Sequence, residues 1–221
     1  MNVLVIGPPG AGKGTQAAEI VHKYGLCHLS TGDILRGEIS RDTKLGRKAH
    51  SFMEGGGLVP DTVINEMVKV AIVRTQTNMA GMLLDGYPRT LSQAVSLTEV
   101  LKQHDINLHR VLFINVPHEM LSDRLTHRLT CPDCKRIFSS KVCPPNIDEV
   151  CDTCGKQLQT REDDTVDVVE QRLIIYARET EPVVEYYRKM KLLADIDGTG
   201  TIDDISLLIS SVLDEVKSNC K

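Results

Sequence analysis

The sequence predicts an α/β fold, a three-layer α/β/α domain around a central parallel sheet, with two mobile insertions. Three observations lead there: short continuous apolar runs end in turn residues, helical stretches separate them, and two segments break the alternation. Residues 3–6, 82–84, 111–116 and 192–196 are apolar runs of the kind expected in strands buried on both faces. Parallel strands need long crossovers, which intervening helices supply.

Residues 3–6 run into a Gly/Pro-rich turn, and residues 13–24, with Ala17, Ala18, Ile20 and Val21, read as the helix beyond it. Ile64, Met67, Val68, Ala71 and Ile72 share one helical face, and Asp61 after Pro60 is expected to be its N-cap. Leu97, Val100, Leu101 and His104 form a weaker stripe. Ile202, Ile205, Leu208, Ile209, Val212, Leu213 and Val216 mark a C-terminal helix. Residues 30–62 hold no buried-strand run and contain Gly55, Gly56 and Gly57. Residues 127–164 are turn-rich, with Pro132, Pro144, Pro145 and four regularly spaced cysteines. Both read as insertions on the sheet's binding edge, which leaves 1–29, 63–126 and 165–221 as the core.

Composition excludes some function classes. A net charge of −4 argues against a surface that coats nucleic acid. No stretch approaches the ~20 apolar residues that cross a bilayer. The first residues enter a strand directly, with neither a positive leader nor a cleavage site, so the cytoplasm is the expected address. Thiols are reduced there, and regular cysteine spacing then points to metal or catalysis before disulfides.

The turn after the first strand is GPPGAGKGT, residues 7–15. Gly7, Gly10, Gly12 and Gly14 carry no side chains, so successive backbone N–H groups can face phosphate oxygens. The following helix N-terminus adds partial positive charge, and Lys13 adds a mobile point charge. Strand, glycine-rich loop and helix in this order define a P-loop. The general pattern puts Ser or Thr directly after the lysine. Here Gly14 precedes Thr15, so direct coordination of Mg²⁺ by Thr15 is not assumed.

The GKGTQ ending resembles the nucleoside monophosphate kinases, and five further motifs extend the resemblance to adenylate kinase along nearly the whole chain. These are LSTGDILR (29–36), GLVPD (57–61), LLDGYPRTLSQA (83–94) and TREDD (160–164) with Arg172 downstream, followed by DGTG (197–200). The resemblance implies reversible phosphoryl transfer, ATP + AMP = 2 ADP, by a monomer that binds neither nucleic acid nor membrane. It makes 30–62 the AMP-binding insertion and 127–164 a lid. It assigns Gly10, Ala11, Gly12, Lys13, Gly14, Thr15, Arg128, Ile137, Phe138 and Gly200 to ATP. Thr31, Arg36, Gly57, Leu58, Val59, Gly86, Tyr87, Pro88, Arg89, Gln93, Arg161 and Arg172 fall to AMP.

The chemistry of these residue types agrees. Two anionic substrates must be neutralised and aligned and water excluded. Arg36 and Arg89 suit an α-phosphate, where the guanidinium fork binds bidentately. Gln93 offers a base edge both a donor and an acceptor. Arg124 and Arg128 share a helix face, and Arg161 and Arg172 flank Asp163 and Asp164, carboxylates expected to orient guanidiniums rather than to act as a base. Asp85, closing a strand at the sheet's carboxyl edge, can hold the water shell of Mg²⁺. Asp33 is a second candidate, with a helix N-cap as its alternative. A sister kinase for another monophosphate would share this machinery, and only Thr31, Leu58, Val59 and Gln93 argue for AMP. A non-catalytic zinc ribbon is the rival from another class.

Cys131, Cys134, Cys151 and Cys154 form C-x₂-C…C-x₂-C, a tetrathiolate spacing. Four thiolates leave no open coordination position, so the ion is expected to be structural, with Zn²⁺ the default and iron or cobalt also accepted. Disulfides, or Cys143 in place of one ligand, are the alternatives. Cys27 reads as a buried strand residue and Cys220 as a tail residue. Two positions depart from the family: His127 stands where a glycine usually precedes Arg128, and Phe138-Ser139 where Tyr-His is common.

Overall fold

A computed structural model describes residues 1–76 and 81–219. Cys220 lies outside the described residues. The main sheet has five parallel strands in the order β2-β3-β1-β4-β7, where β1 is Asn2–Ile6, β2 Cys27–Ser30, β3 Met82–Asp85, β4 Arg110–Asn115 and β7 Leu193–Asp197. The four expected runs are β1, β3, β4 and β7. The sequence marked β2 only at Cys27, because this edge strand is half-buried and CHLS carries no continuous apolar run. Cys27 is accordingly half-buried, not buried.

Side chains alternate across the sheet, and the core divides accordingly. Leu4, Ile6 and Leu84 face one layer with Ile72, Leu97 and Tyr187. Val3, Val5, Leu83, Leu112 and Ile114 face the other, with Ala17, Ile20, Ile209 and Leu213. Each such buried aliphatic side chain contributes about 1.5–3 kcal/mol before entropy is counted. The helices that supply these residues are α1 (Lys13–Tyr24), α4 (Asp61–Gln76), α5 (Leu91–Gln103), α8 (Glu181–Lys189) and α9 (Ile202–Asn219).

Residues 31–54 hold two short helices packed on each other, α2 (Thr31–Ser40) and α3 (Lys44–Glu54), capped by the hydroxyls of Ser30 and Thr43. After α6 (His118–Thr126) the chain leaves the main sheet for the antiparallel pair β5 (Arg128–Thr130) and β6 (Ile137–Ser139). This region has its own small core of Cys131, Phe138, Cys151 and Leu158. It returns through a 3₁₀ turn, Glu162–Asp164, to α7 (Val166–Ile175) and a π-helical turn, Tyr176–Thr180.

Two expected caps are corrected. Pro60 provides the first acceptor of α4, taking bonds from the N–H groups of Val63 and Ile64, and the Asp61 carboxylate turns instead toward α5. Asp33 is not an N-cap either: Ser30 caps α2, and Asp33 sits in the first turn, paired with Arg36 at 2.6 Å. His127 has φ −100°, a conformation open to any residue, so no glycine is needed before Arg128.

Candidate functional site

The strand ends and the two insertions enclose one cavity of about 860 Å³. Its wall begins where β1 gives way to the P-loop. Gly12 opens α1 with φ 88°, a left-handed geometry that costs side-chain-bearing residues about 1–2 kcal/mol. The Lys13 ammonium folds back on the loop, donating from Nζ to the carbonyls of Gly7 and Pro8 at 2.8 Å each. Burial pulls its pKa down to about 7, with Arg89, Arg172 and Arg128 pushing the same way and Asp85 opposing them.

Gly14, the residue that departs from the general P-loop pattern, faces the four-cysteine region. A Cβ there would sit 2.9 Å from Cδ1 of Ile137 on β6, so the loop and the four-cysteine region meet where the side chain is missing. Asp85, at the end of β3, lies on the same side. His28 Nε2, buried and without a hydrogen bond, approaches its Oδ2 to 3.6 Å.

The arginines come from α2, the loop after β3, α6, β5, the segment before α7, and α7 itself. Asp164, its side chain fully buried, takes both Nε (2.8 Å) and Nη2 (2.5 Å) of Arg128. Its Oδ1 also accepts from Nη1 of Arg172 at 2.9 Å. That same Nη1 lies 2.9 Å from Asp163 Oδ2. Burial disfavours charge on Asp163, yet Arg172 and Arg128 hold its carboxyl below the ordinary range. Arg161 donates to Thr130 Oγ1 at 3.1 Å, and burial with Arg128 and Arg36 nearby lowers it to about 9. Arg124 Nη2 bonds the Gly198 carbonyl at 3.0 Å.

Across the cavity, the Gly86 carbonyl accepts from Thr31 Oγ1 (2.9 Å) and Arg89 Nε (2.8 Å). Gly86 has φ 78°, and a Cβ would approach Thr31 Oγ1 to 3.0 Å. Burial brings Arg89 down to about 10, with Arg172 adding to the effect. Gln93 is 2% exposed and borders the cavity, its amide bonded on both sides.

Every residue that the sequence assigned to ATP or AMP borders this cavity, as do Arg124, Asp85, Asp33 and Asp163. Asp164 lies behind it. Two assigned side chains are spent elsewhere. The Tyr87 hydroxyl bonds Asn65 and the Gln93 carbonyl within the core, and the Phe138 ring is buried in the small cysteine-rich core. Sequence reasoning missed His28, Lys135, Arg136 and Tyr176, which also border the cavity. The adjacent basic pair directly after Cys134 was the signal that could have found two of them.

The sulfurs of Cys131, Cys134, Cys151 and Cys154 lie within 4.8 Å of one another and fit a metal ion. Each pair sits in the same turn: Lys135 N–H bonds the Cys131 carbonyl and Gly155 N–H the Cys151 carbonyl. Burial opposes ionisation of Cys151, but the N–H groups of Thr153 and Cys154 outweigh it and hold the thiol at about 6. The cysteines are not joined as disulfides, and Cys143 is not in the cluster. It pairs backbone to backbone with Ser139. Among the described residues no helix is long and apolar enough to cross a membrane.

Residues 5–192 match the family model described as adenylate kinase. The chain is 42% identical to the adenylate kinase of Archaeoglobus fulgidus, covering 99% of this chain and 100% of that one. It is 46% identical to that of Methanococcoides burtonii over 98% and 100%. With that of Carboxydothermus hydrogenoformans it shares 43% identity over 96% and 99%.

Proposed function

The chain belongs to the adenylate kinase family, and we propose that its cavity takes ATP and AMP together and transfers the γ-phosphoryl group between them. One observation carries the reading: Lys13, Arg36, Arg89, Arg128, Arg161 and Arg172, scattered over the chain, border a single cavity together with Gln93. An oxygen of the AMP α-phosphate attacks the γ-phosphorus, the bond to the β–γ bridging oxygen breaks, and that oxygen leaves with the electron pair. Two ADP result. The attacking oxygen is already anionic, so no general base is required.

The residues share this work by position. The P-loop from Gly10 to Thr15 and Lys13 hold the ATP phosphates, while Ile137, Phe138 and Gly200 border the donor nucleoside. Arg36 and Arg89 hold the AMP phosphate; Thr31, Gly57, Leu58, Val59, Gly86, Tyr87, Pro88 and Gln93 surround its nucleoside. Arg124, Arg128, Arg161 and Arg172 neutralise charge that builds on the transferred group, a contribution worth several kcal/mol in a dry site. Mg²⁺ arriving with ATP would supply further neutralisation, and the Asp85 carboxylate at the end of β3 would fit its water shell.

We assign 30–62 as the AMP-binding insertion and 127–164 as a lid, whose closure over the core expels water and prevents hydrolysis. Zn²⁺ fits the four thiolates best and is structural, since four sulfurs close its coordination sphere. The regular four-cysteine spacing suits a metal in the reducing cytoplasm, and one compact domain with two insertions needs no partner, which supports a monomer. A coupled assay over a panel of monophosphates tests the assignment: AMP is the best acceptor, and faster turnover of UMP, CMP or GMP would overturn it.

A further inference from the structure

Gln93 can read a base only if its amide points one way, and its two ends differ in what they accept. An amide flip exchanges donor for acceptor without changing shape. Here both ends are held by groups of fixed polarity. Nε2 donates to Asp61 Oδ1 at 2.6 Å, and a carboxylate can only accept. Oε1 accepts the Arg89 backbone N–H at 2.7 Å, and an N–H can only donate. Asp61 is itself held through Oδ2 by the Thr90 hydroxyl at 2.9 Å, and Thr90 Oγ1 in turn accepts from the Gln93 N–H at 3.1 Å. A flipped amide would set oxygen against carboxylate and NH₂ against N–H, two buried mismatches at once.

We propose that Asp61 is a specificity-determining positioning residue, which locks the Gln93 amide in the orientation that accepts adenine and refuses 6-oxopurines. This inference rests on the AMP reading above. One lone pair of Oε1 and one hydrogen of Nε2 remain for a ligand. Adenine presents an amino donor beside a ring-nitrogen acceptor on both edges of its 6-position, and the locked amide meets each with its opposite. Hypoxanthine has the same shape, but its Watson–Crick edge reverses the pattern and its other edge offers two acceptors. It therefore finds like against like. Asp61 also lies on α4, at the start of the helix that follows the acceptor loop, so the lock ties that loop to α5.

The test compares AMP with IMP as acceptors at fixed Mg·ATP. Wild-type protein is expected to favour AMP in kcat/KM by at least about a hundredfold. In Asp61→Asn, whose amide can face either orientation of Gln93, the AMP/IMP ratio is expected to fall about tenfold or more. The fall should come through a higher KM for AMP, with IMP unchanged or improved. Asp61→Ala is the second variant, with ATP binding and Tm measured to verify folding. An equal loss for AMP and IMP, or no change, overturns the positioning role. A wild-type enzyme that does not prefer AMP overturns the acceptor assignment instead.

Discussion

Arg128 grips Asp164 through two parallel hydrogen bonds, Nε to Oδ2 at 2.8 Å and Nη2 to Oδ1 at 2.5 Å, and the carboxylate is fully buried behind the cavity wall. Arg172 shares the same Oδ1. One buried anion thus holds two guanidiniums that border the cavity. Asp164→Asn removes the charge but not the shape, leaving cations without their partner. The variant is expected to lose about 3–5 kcal/mol in urea unfolding and at least tenfold in turnover. A stability loss under about 1 kcal/mol would show the pair to behave as a surface ion pair.

Lys13 predicts a proton uptake on nucleotide binding. Its folded pKa of about 7 lies below the unfolded value near 10.5, so between those values the unfolded chain binds more protons. The stability of the unliganded protein therefore gains from this group as pH rises from about 7 to 10.5; below 7 the full cost of the buried ammonium remains. Phosphates facing the lysine favour its charged form. At pH 8, ATP binding should take up about one proton, read by calorimetry in buffers of different ionisation enthalpy. Lys13→Met should abolish both the uptake and most of the turnover while folding normally. Unchanged turnover would remove the P-loop lysine from its assigned role.

Gly14 and Ile137 should be coupled. Gly14→Ala places a methyl 2.9 Å from the Ile137 terminal carbon, so one of the two must shift. Turnover is expected to fall roughly tenfold, and Ile137→Ala in the same chain should restore much of it. Additive losses in the double variant would mean that contact between the P-loop and β6 is not what requires the glycine.

The two cysteine turns are alike except that Gly155 (φ 68°) has Lys135 (φ 62°) as its counterpart. Lys135→Gly relieves a left-handed residue and should stabilise the protein by about 0.5–1 kcal/mol with metal content unchanged. Cys151→Ser should act oppositely, lowering metal content and Tm by several degrees more than it lowers activity at moderate temperature. Loss of chemistry in a folded, metal-replete Cys151→Ser protein would make the metal catalytic rather than structural.

The strands β1, β3, β4 and β7 and helices α1 and α9 were legible because local composition dictates them: buried runs and 3.6-residue stripes need no knowledge of partners. The resemblance supplied most of the residues that border the cavity, though not His28, Lys135, Arg136 or Tyr176. β2 was legible only at Cys27, because its half-buried residues follow no apolar run. Asp61 was not legible either: local sequence offered it as a helix cap, and only the packing of α4 against α5 sends its carboxylate to Thr90 and Gln93.

The sequence by itself determined that this chain handles phosphates, that four cysteines share a tetrathiolate spacing, and which of the assigned cations border one cavity. The tertiary structure alone decided which carboxylate holds which arginine, what Gly14 faces, and which way the Gln93 amide points. The physical reason is distance along the chain. Partners such as Arg128 and Asp164, or Asp61 and Gln93, lie about thirty residues apart. Spacing rules reach about one helical turn, so contacts of that separation are settled only by how the layers pack.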